Sequence, residues 1–587
     1  MKRYSSIALL FSLITQLSFA NSVSDKGELL LVGGGLKTCS SMAIKNCEFN
    51  NLEEKTQLKT GKQTSYYQIN QKTINLFKKY WPEDFSKTNQ QAIFNILQTI
   101  NKQEKDHLWS KAKLKSLFKK YDEEKIIRKL NDAQYYFLLD ALEQPVINEN
   151  TEKRLTESVN LSRSSNTFST EIYHQFITLA QQNSGKKRPR ILVVTASARD
   201  PFEAVDFYQT VFTQAGGDTR WLPLDATLNA LIQQTGERQQ VCQQLSATRL
   251  KVQGSFHREY VYPDLVDIQY QACLSPESIF TAIEKADGIF INGGDQSLTL
   301  KAFIKNDGSD NRALTMIKEK LAKNSLVVGG TSAGTAVMSG GLFNNNQVAM
   351  ITNGQSNTAI VRGAKKNVLP MEGCQKSNSC QQNVLNDDLT YNASGGLGLF
   401  TWGILDTHFS ERGRQGRLAQ LAIDTNTHFA FGVDESTALL VSNINSTKPR
   451  FEIVGQSGVF IVENKVDNLT KNSVLTHYLT RGDTLTFSND QLSIKYISWK
   501  KPINEPAKLP ENIDDIFYRN RYQQSAELLC RTNNVLISGE SHWQNIDTQI
   551  IIKKQENAKS NFGTFNVNGS VFSYCSYQNY LMSFSKE

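Results

Sequence analysis

Four short apolar runs punctuate this chain: Glu28-Leu29-Leu30-Leu31-Val32, Ile191-Leu192-Val193-Val194, Gly288-Ile289-Phe290-Ile291 and Leu326-Val327-Val328. Each is continuous rather than alternating, the pattern of a strand buried on both faces. Helical stretches such as Ala204 to Gln214 and Arg312 to Leu321 lie between them. Buried strands alternating with helices predict an α/β fold built on a doubly wound, mostly parallel sheet. With 587 residues, 39% hydrophobic and 21% charged, the chain has material for several domains.

Two regions depart from that pattern. In residues 61–185, Ile93, Ile96, Leu97 and Ile100 recur at helical spacing, as do Leu114, Leu117, Phe118 and Tyr121. Ile172, Phe176 and Leu179 continue the pattern, so the segment is expected to be a helical insertion. Its basic stretch Lys111 to Lys120 reads as a solvated helix face, with an anion site as the alternative. From about 440 onward strand-like alternation dominates, and Pro502, Pro506 and Pro510 mark a linker. The expected division is a catalytic domain from 21–60 and 186–488, the insertion 61–185, and a β-rich C-terminal appendage at 489–587.

Residues 1–20 have the layout of a secretory signal peptide. Lys2 and Arg3 precede a mostly apolar stretch from Ile7 to Leu17, and Ser18-Phe19-Ala20 predicts cleavage after Ala20. The apolar run is shorter than the ~20 residues a spanning helix needs. Export to the periplasm or beyond is therefore expected, with no membrane span after signal removal. Loss of Lys2 and Arg3 takes the net charge from +8 to +6, too dilute an excess to argue for nucleic acid. The eight cysteines are an even set, as exported proteins use for disulfides. Chain neighbours suggest the pairs Cys39–Cys47, Cys242–Cys273, Cys374–Cys380 and Cys530–Cys575. With no CxxC and no cysteine at ligand spacing from a histidine, no zinc site is expected, and nothing calls for a cofactor.

The chemistry concentrates in Gly330-Thr331-Ser332-Ala333-Gly334, a G-x-S-x-G segment after a buried strand. In that context the serine can sit on a nucleophile elbow, with the Ala333 amide near developing negative charge; a plain turn is the alternative. A serine needs a base, and His408 alone of the mature chain's seven histidines lies in a dense polar cluster, Asp406 to Arg417. Asp434 and Glu435, after an apolar run, are rivals to orient it. The order serine, histidine, acid differs from that of an α/β-hydrolase. Gly33-Gly34-Gly35 lacks the spacing of a dinucleotide loop and reads as a turn near the site.

Together, Phe290 to Gln296, Gly330 to Gly334, Asp406 to Leu418 and Gly432 to Leu439 stand in the order and spacing of cyanophycinases. The chain resembles that family, which is related to peptidase E, over residues 27–38 and 186–488. The resemblance implies a class I glutamine amidotransferase-like fold. It also implies Ser332 as nucleophile, His408 as general base and acid, and Glu435 as the acid that orients it. The oxyanion hole would come from the amides of Ala333 and of Gly294 or Asp295. Gln296, Arg412, Arg414 and Arg417 match residues implied to read the substrate's acidic groups, since a guanidinium fork pairs with carboxylates; bracing of the loop through ion pairs is the alternative for the arginines. The implied substrate is cyanophycin, a polyaspartate carrying arginine on its β-carboxyls. Thr407 stands where cyanophycinases usually have glutamine, which leaves the triad intact and weakens the inference to that polymer. The rival readings are a non-catalytic binding protein on the same fold and an amidase for another peptide. A homodimer stays open.

Overall fold

The structure is a computed structural model that describes residues 27–104, 107–148, 150–370, 373–377, 380–381, 383–465, 472–488 and 491–586. The leader and its cleavage site, residues 1–20, lie outside the described residues.

The four apolar runs become adjacent strands. Gly27–Val32, Val327–Thr331, Gly288–Ile291, Arg190–Val194 and Asp218–Trp221 follow one another, all parallel, in a nine-stranded sheet. Beyond Gly27–Val32 the sheet turns antiparallel through Thr437–Ser442, Arg450–Gly455, Thr484–Ser488 and Gln491–Lys495. Both faces are covered, which explains the continuous apolar sequence. Leu29, Leu31, Leu192, Val194 and Ile289 pack on one side with the helices Glu277–Lys285 and Arg312–Ala322. Leu30, Val32, Ile191, Val193 and Phe290 pack on the other with the helices Thr167–Ser184 and Val205–Gln214. The molecule is thus an α/β protein with a mixed, centrally parallel sheet. Ile172, Phe176 and Leu179 belong to this layer and not to the helices that precede them.

Those earlier helices, Gln71–Tyr80, Lys87–Gln103, Lys111–Tyr121 and Asp132–Leu142, bury a cluster of their own around Ile93, Leu97, Ile100, Leu114, Leu117 and Phe118. Each begins at an Asn or Ser whose side chain accepts the N3 amide: Asn70, Ser86, Ser110 and Asn131. The lysines of Lys111–Tyr121 lie on its exposed side.

A second sheet runs Ile404–Thr407, Phe429–Val433, Gly458–Glu463, Ser473–Thr480, Ser570–Lys586 and Ile546–Val567. The first two strands are parallel, the others antiparallel. The C-terminal segment therefore extends both sheets: Gln491–Lys495 pairs with Thr484–Ser488, and Ser570–Lys586 with Ser473–Thr480. A helix, Arg521–Arg531, packs against the long strands. The chain crosses from the second sheet to the first between Val433 and Thr437, so residues 434–436 form the corner where the sheets meet. All four disulfides have the pairing expected from chain order, Cys39–Cys47, Cys242–Cys273, Cys374–Cys380 and Cys530–Cys575. Among the described residues no helix is long and apolar enough to cross a membrane.

Candidate active site

Three chain segments meet at that corner, each delivering one polar side chain. The strand Val327–Thr331 ends at Ser332, whose φ of 56° and ψ of −118° are outside the regions a side chain prefers. The Ser332 amide donates to the carbonyl of Val32 (3.0 Å), and Thr335 Oγ1 donates to the same oxygen (2.8 Å), which pins the sharp turn. The flanking glycines are required by close approach. A Cβ on Gly330 would lie 2.3 Å from the Gly334 carbonyl oxygen, and one on Gly334 would lie 2.4 Å from that of Ile291. The pentapeptide is thus an elbow that lifts the serine from the strand end, not an ordinary turn.

His408 follows the strand Ile404–Thr407, is left-handed (φ 46°), and donates its amide to the Gly33 carbonyl (2.8 Å). Its Nε2 is 2.8 Å from Ser332 Oγ, and its Nδ1 is 2.7 Å from Glu435 Oε1. An ionised carboxylate can only accept, so Nδ1 carries the proton and Nε2 offers its lone pair to the serine hydroxyl. The hydrogen bond from His408 holds the Glu435 carboxyl below the usual carboxylate range, with the Arg412 and Lys37 charges adding to it. Gly33-Gly34-Gly35 forms the floor. A Cβ on Gly34 (φ 107°) would sit 2.5 Å from the imidazole, and one on Gly35 would sit 2.4 Å from Glu435 Oε2.

Asp434, the rival acid, faces away. It is 1% exposed and accepts from Tyr478 Oη (2.6 Å) and the Ser410 amide (2.9 Å). Burial raises its pKa, and those hydrogen bonds only partly offset this.

Ala333 opens the short helix after the elbow, so its N–H lacks an intrahelical partner. Across from it, a Cβ on Gly293 would stand 3.2 Å from Ser332 Cβ, and Gly294 (φ 147°) abuts the Ser197 carbonyl oxygen. The Asp295 amide donates to that same oxygen (2.7 Å), and the Asp295 side chain caps the helix Gln296–Phe303 through the Ser297 amide. Gln296 Nε2 donates to the carbonyls of Ile351 (2.8 Å) and Thr352 (3.1 Å).

The arginine cluster splits. Arg417, 4% exposed, binds Asp406 through Nε (2.8 Å) and Nη2 (2.6 Å), and its Nη1 reaches the Gly354 carbonyl. Arg414 donates to the Thr407 carbonyl (2.5 Å) and to Asp406 (3.3 Å). Burial alone would raise the Asp406 pKa, but the two guanidinium groups outweigh it and hold the carboxyl below its ordinary range. Arg412 is exposed. Asp406 was not singled out by the sequence reading, although the arginines eight and eleven positions on were its signal; the Ser197 turn left none.

Residues 266–361 match the profile of Peptidase family S51, a stretch that contains Gly294, Gln296 and Ser332. The cyanophycinase of Trichormus variabilis is 25% identical over 232 residues, 38% of this chain and 63% of that protein. That of Geminocystis herdmanii is 25% identical over 214 residues, 34% and 62%. That of Thermosynechococcus vestitus is 24% identical over 246 residues, 40% and 63%. The chain thus spans somewhat under two thirds of the length of these relatives. The profile and the relatives agree with the motifs: this chain is similar to the cyanophycinase and peptidase E-like serine peptidases of family S51.

Proposed function

We propose that the chain is an exported serine hydrolase that cleaves peptide or isopeptide bonds at aspartyl residues, a cyanophycin-like poly(Asp-Arg) being the leading substrate. The observation that carries this is the unbroken relay Ser332 Oγ, His408 Nε2, His408 Nδ1, Glu435 Oε1, at 2.8 and 2.7 Å. Serine is a poor nucleophile until an imidazole takes its proton. In the first half-reaction Ser332 Oγ attacks the scissile carbonyl as its proton passes to His408 Nε2. The oxyanion is held by the amides of Ala333 and Gly294, since the Asp295 amide is engaged by Ser197. Collapse expels the amine, which takes the proton from His408, and leaves an acyl-enzyme on Ser332. Water activated by His408 then releases the acid. Glu435 keeps the imidazole in the tautomer both halves need.

In this reading Arg412 reaches the substrate's acidic groups, Gln296 holds the Ile351–Thr352 backbone through its two donors, and Arg414 and Arg417 brace the loop that carries His408. The catalytic unit is 21–60 with 186–488, doubly wound and class I glutamine amidotransferase-like, interrupted by the helical segment 61–185, whose last helix, Thr167–Ser184, packs on the catalytic sheet, and extended by 489–587. Four disulfides and the leader sequence support export. The test is release of β-aspartyl-arginine from the polymer by the purified mature protein. Turnover that vanishes in Ser332→Ala supports the reading, and equal turnover by that variant would sink it.

A further inference from the structure

The resemblance to cyanophycinases skips the helical segment 61–185, yet that segment grips the loop against which the oxyanion turn rests. The strand Arg190–Val194 runs into residues 195–200, and Ser197 in their middle is bonded to the oxyanion turn through every polar atom it has. Its amide donates to Asn292 Oδ1 (3.0 Å), its hydroxyl shares a hydrogen bond with Thr299 Oγ1 (2.5 Å), and its carbonyl accepts the Asp295 amide (2.7 Å). Gly294 lies so close to that carbonyl that a Cβ on it would stand 2.1 Å from the oxygen. Where the Ser197 backbone sits therefore decides where the Gly294 backbone sits.

Two and three residues on, the insertion holds the same loop. Arg199 forks onto Asp140 of the helix Asp132–Leu142, Nη1 to Oδ2 (2.7 Å) and Nη2 to Oδ1 (2.9 Å). Tyr136, one turn earlier on that helix, lies under the guanidinium at 4.6 Å. Asp200 accepts from Arg258 Nη1 (2.8 Å), and the same nitrogen reaches Glu143 (2.7 Å), just past the helix end. Asp140 and Arg258 are only 2% and 1% exposed, so water does not loosen these bonds. Arg199 also donates to the Gly254 carbonyl (2.7 Å), and that stretch is tied to the insertion in turn: the Phe256 amide donates to Asp140 (2.9 Å) and its ring stacks on Phe137 at 4.7 Å. A buried ion network adds little net stability, because desolvation offsets the attraction. A planar guanidinium engaged by both oxygens of one carboxylate does fix direction as well as distance. We infer that the insertion completes the active site, with Asp140 and Arg199 as positioning residues that hold the Ser197 loop so that the Gly294 amide stays aimed at the oxyanion. The inference rests on the peptidase reading and deepens it. Neither residue touches the reacting atoms; both act through Ser197.

Two readouts on the full mature chain test it. A fluorophosphonate puts its phosphoryl oxygen in the oxyanion hole, so its labelling rate at Ser332 reads the hole's geometry. Amide hydrogen exchange in residues 292–297 reads the turn directly. Arg199→Met should slow labelling by about 10²-fold, the cost of a displacement of about 1 Å, and should speed exchange in 292–297 by about tenfold. Asp140→Asn, made on the insertion side of the fork, should move both readouts the same way. Arg199→Lys, which keeps the charge, should recover part of both losses, as a merely structural role would not require. Arg312→Met, which removes an outer-surface fork onto Glu277, should change neither. Should Arg199→Met fail to fold, Asp140→Asn and Arg199→Lys carry the same two measurements. Slower labelling together with faster exchange in cooperatively melting variants supports the inference. Unchanged labelling, or slower labelling with exchange in 292–297 unchanged, would overturn it. Wild type that is itself unlabelled at Ser332 would count against the peptidase reading instead, and exchange would still decide whether Asp140 holds the turn.

Discussion

Asp434 and Glu435 are neighbours in the chain and opposites in the fold. The front of their turn is half open: Glu435 meets His408, and the imidazole's hydrogen bond keeps its carboxyl charged. The back is closed: Asp434 is buried with Tyr478, Glu411 stands beside it, and burial pushes both carboxyls toward the protonated form. The same functional group one residue apart is thus a partner for an imidazolium on one side and a buried hydrogen-bond acceptor on the other. What separates them is solvent and partner, not intrinsic acidity. Five variants and a pH series can break or sharpen that contrast.

The largest effect is expected at the front. Ser332→Ala should lower kcat by about 10⁴-fold or more while leaving the melting temperature nearly unchanged, because it removes the bond-forming atom and little packing. Measured hydrolysis and thermal melts on the same preparation check both halves. Arg417→Met should act on stability first. It leaves buried Asp406 with only the longer Arg414 contact as counter-charge, a change worth about 3 kcal/mol, and urea unfolding should show the loss. Gly34→Ala should leave the fold intact and cut kcat by about 10²-fold, because its Cβ meets the His408 ring and a shift of about 1 Å is enough for that. Asp434→Asn should cost about 1–3 kcal/mol of stability through its hydrogen bonds to Ser410 and Tyr478, with a smaller effect on kcat than Glu435→Gln. If the two exchanges affected kcat equally, the front–back distinction would fail.

The pH dependence of stability supplies the smallest and most specific contrast. Glu435 and Asp406 are held below their unfolded values, so their contribution is present above the ordinary carboxylate range and is lost as pH falls through the folded values. Glu411 is raised to about 8, so the folded state binds the extra proton, and its contribution declines as pH rises from the ordinary glutamate range to about 8. Melting temperatures should therefore drift down from pH 5 to about 8 in wild type and level off above that. The drift should flatten in Glu411→Gln.

Where the sequence was legible, local rules and packing agreed. The buried strands were continuous apolar runs because both faces of the central sheet are covered, as Leu29–Leu31 on one side and Leu30–Val32 on the other make plain. Ser332 was legible because an elbow leaves glycines at fixed offsets, and those glycines prove to be demanded by the carbonyls of Gly334 and Ile291. His408 was found by the polar cluster around it, which includes Asp406 and the arginines that brace it. The choice between Asp434 and Glu435 rested on the family motif, because which side of a turn faces solvent is decided by segments distant in sequence. The burial of Asp434 against Tyr478 left no trace at all: the two are brought together by pairing of Gly458–Glu463 with both Phe429–Val433 and Ser473–Thr480. For the same reason nothing in residues 489–587 announced that they would extend both sheets.

Reaction of the mature protein with a fluorophosphonate, followed by peptide mapping, tests the central claim most directly. The account predicts one covalent adduct on the peptide containing Ser332, lost in Ser332→Ala and strongly reduced in His408→Ala. Labelling of a different serine, or labelling at Ser332 that persists at full rate without His408, would contradict it.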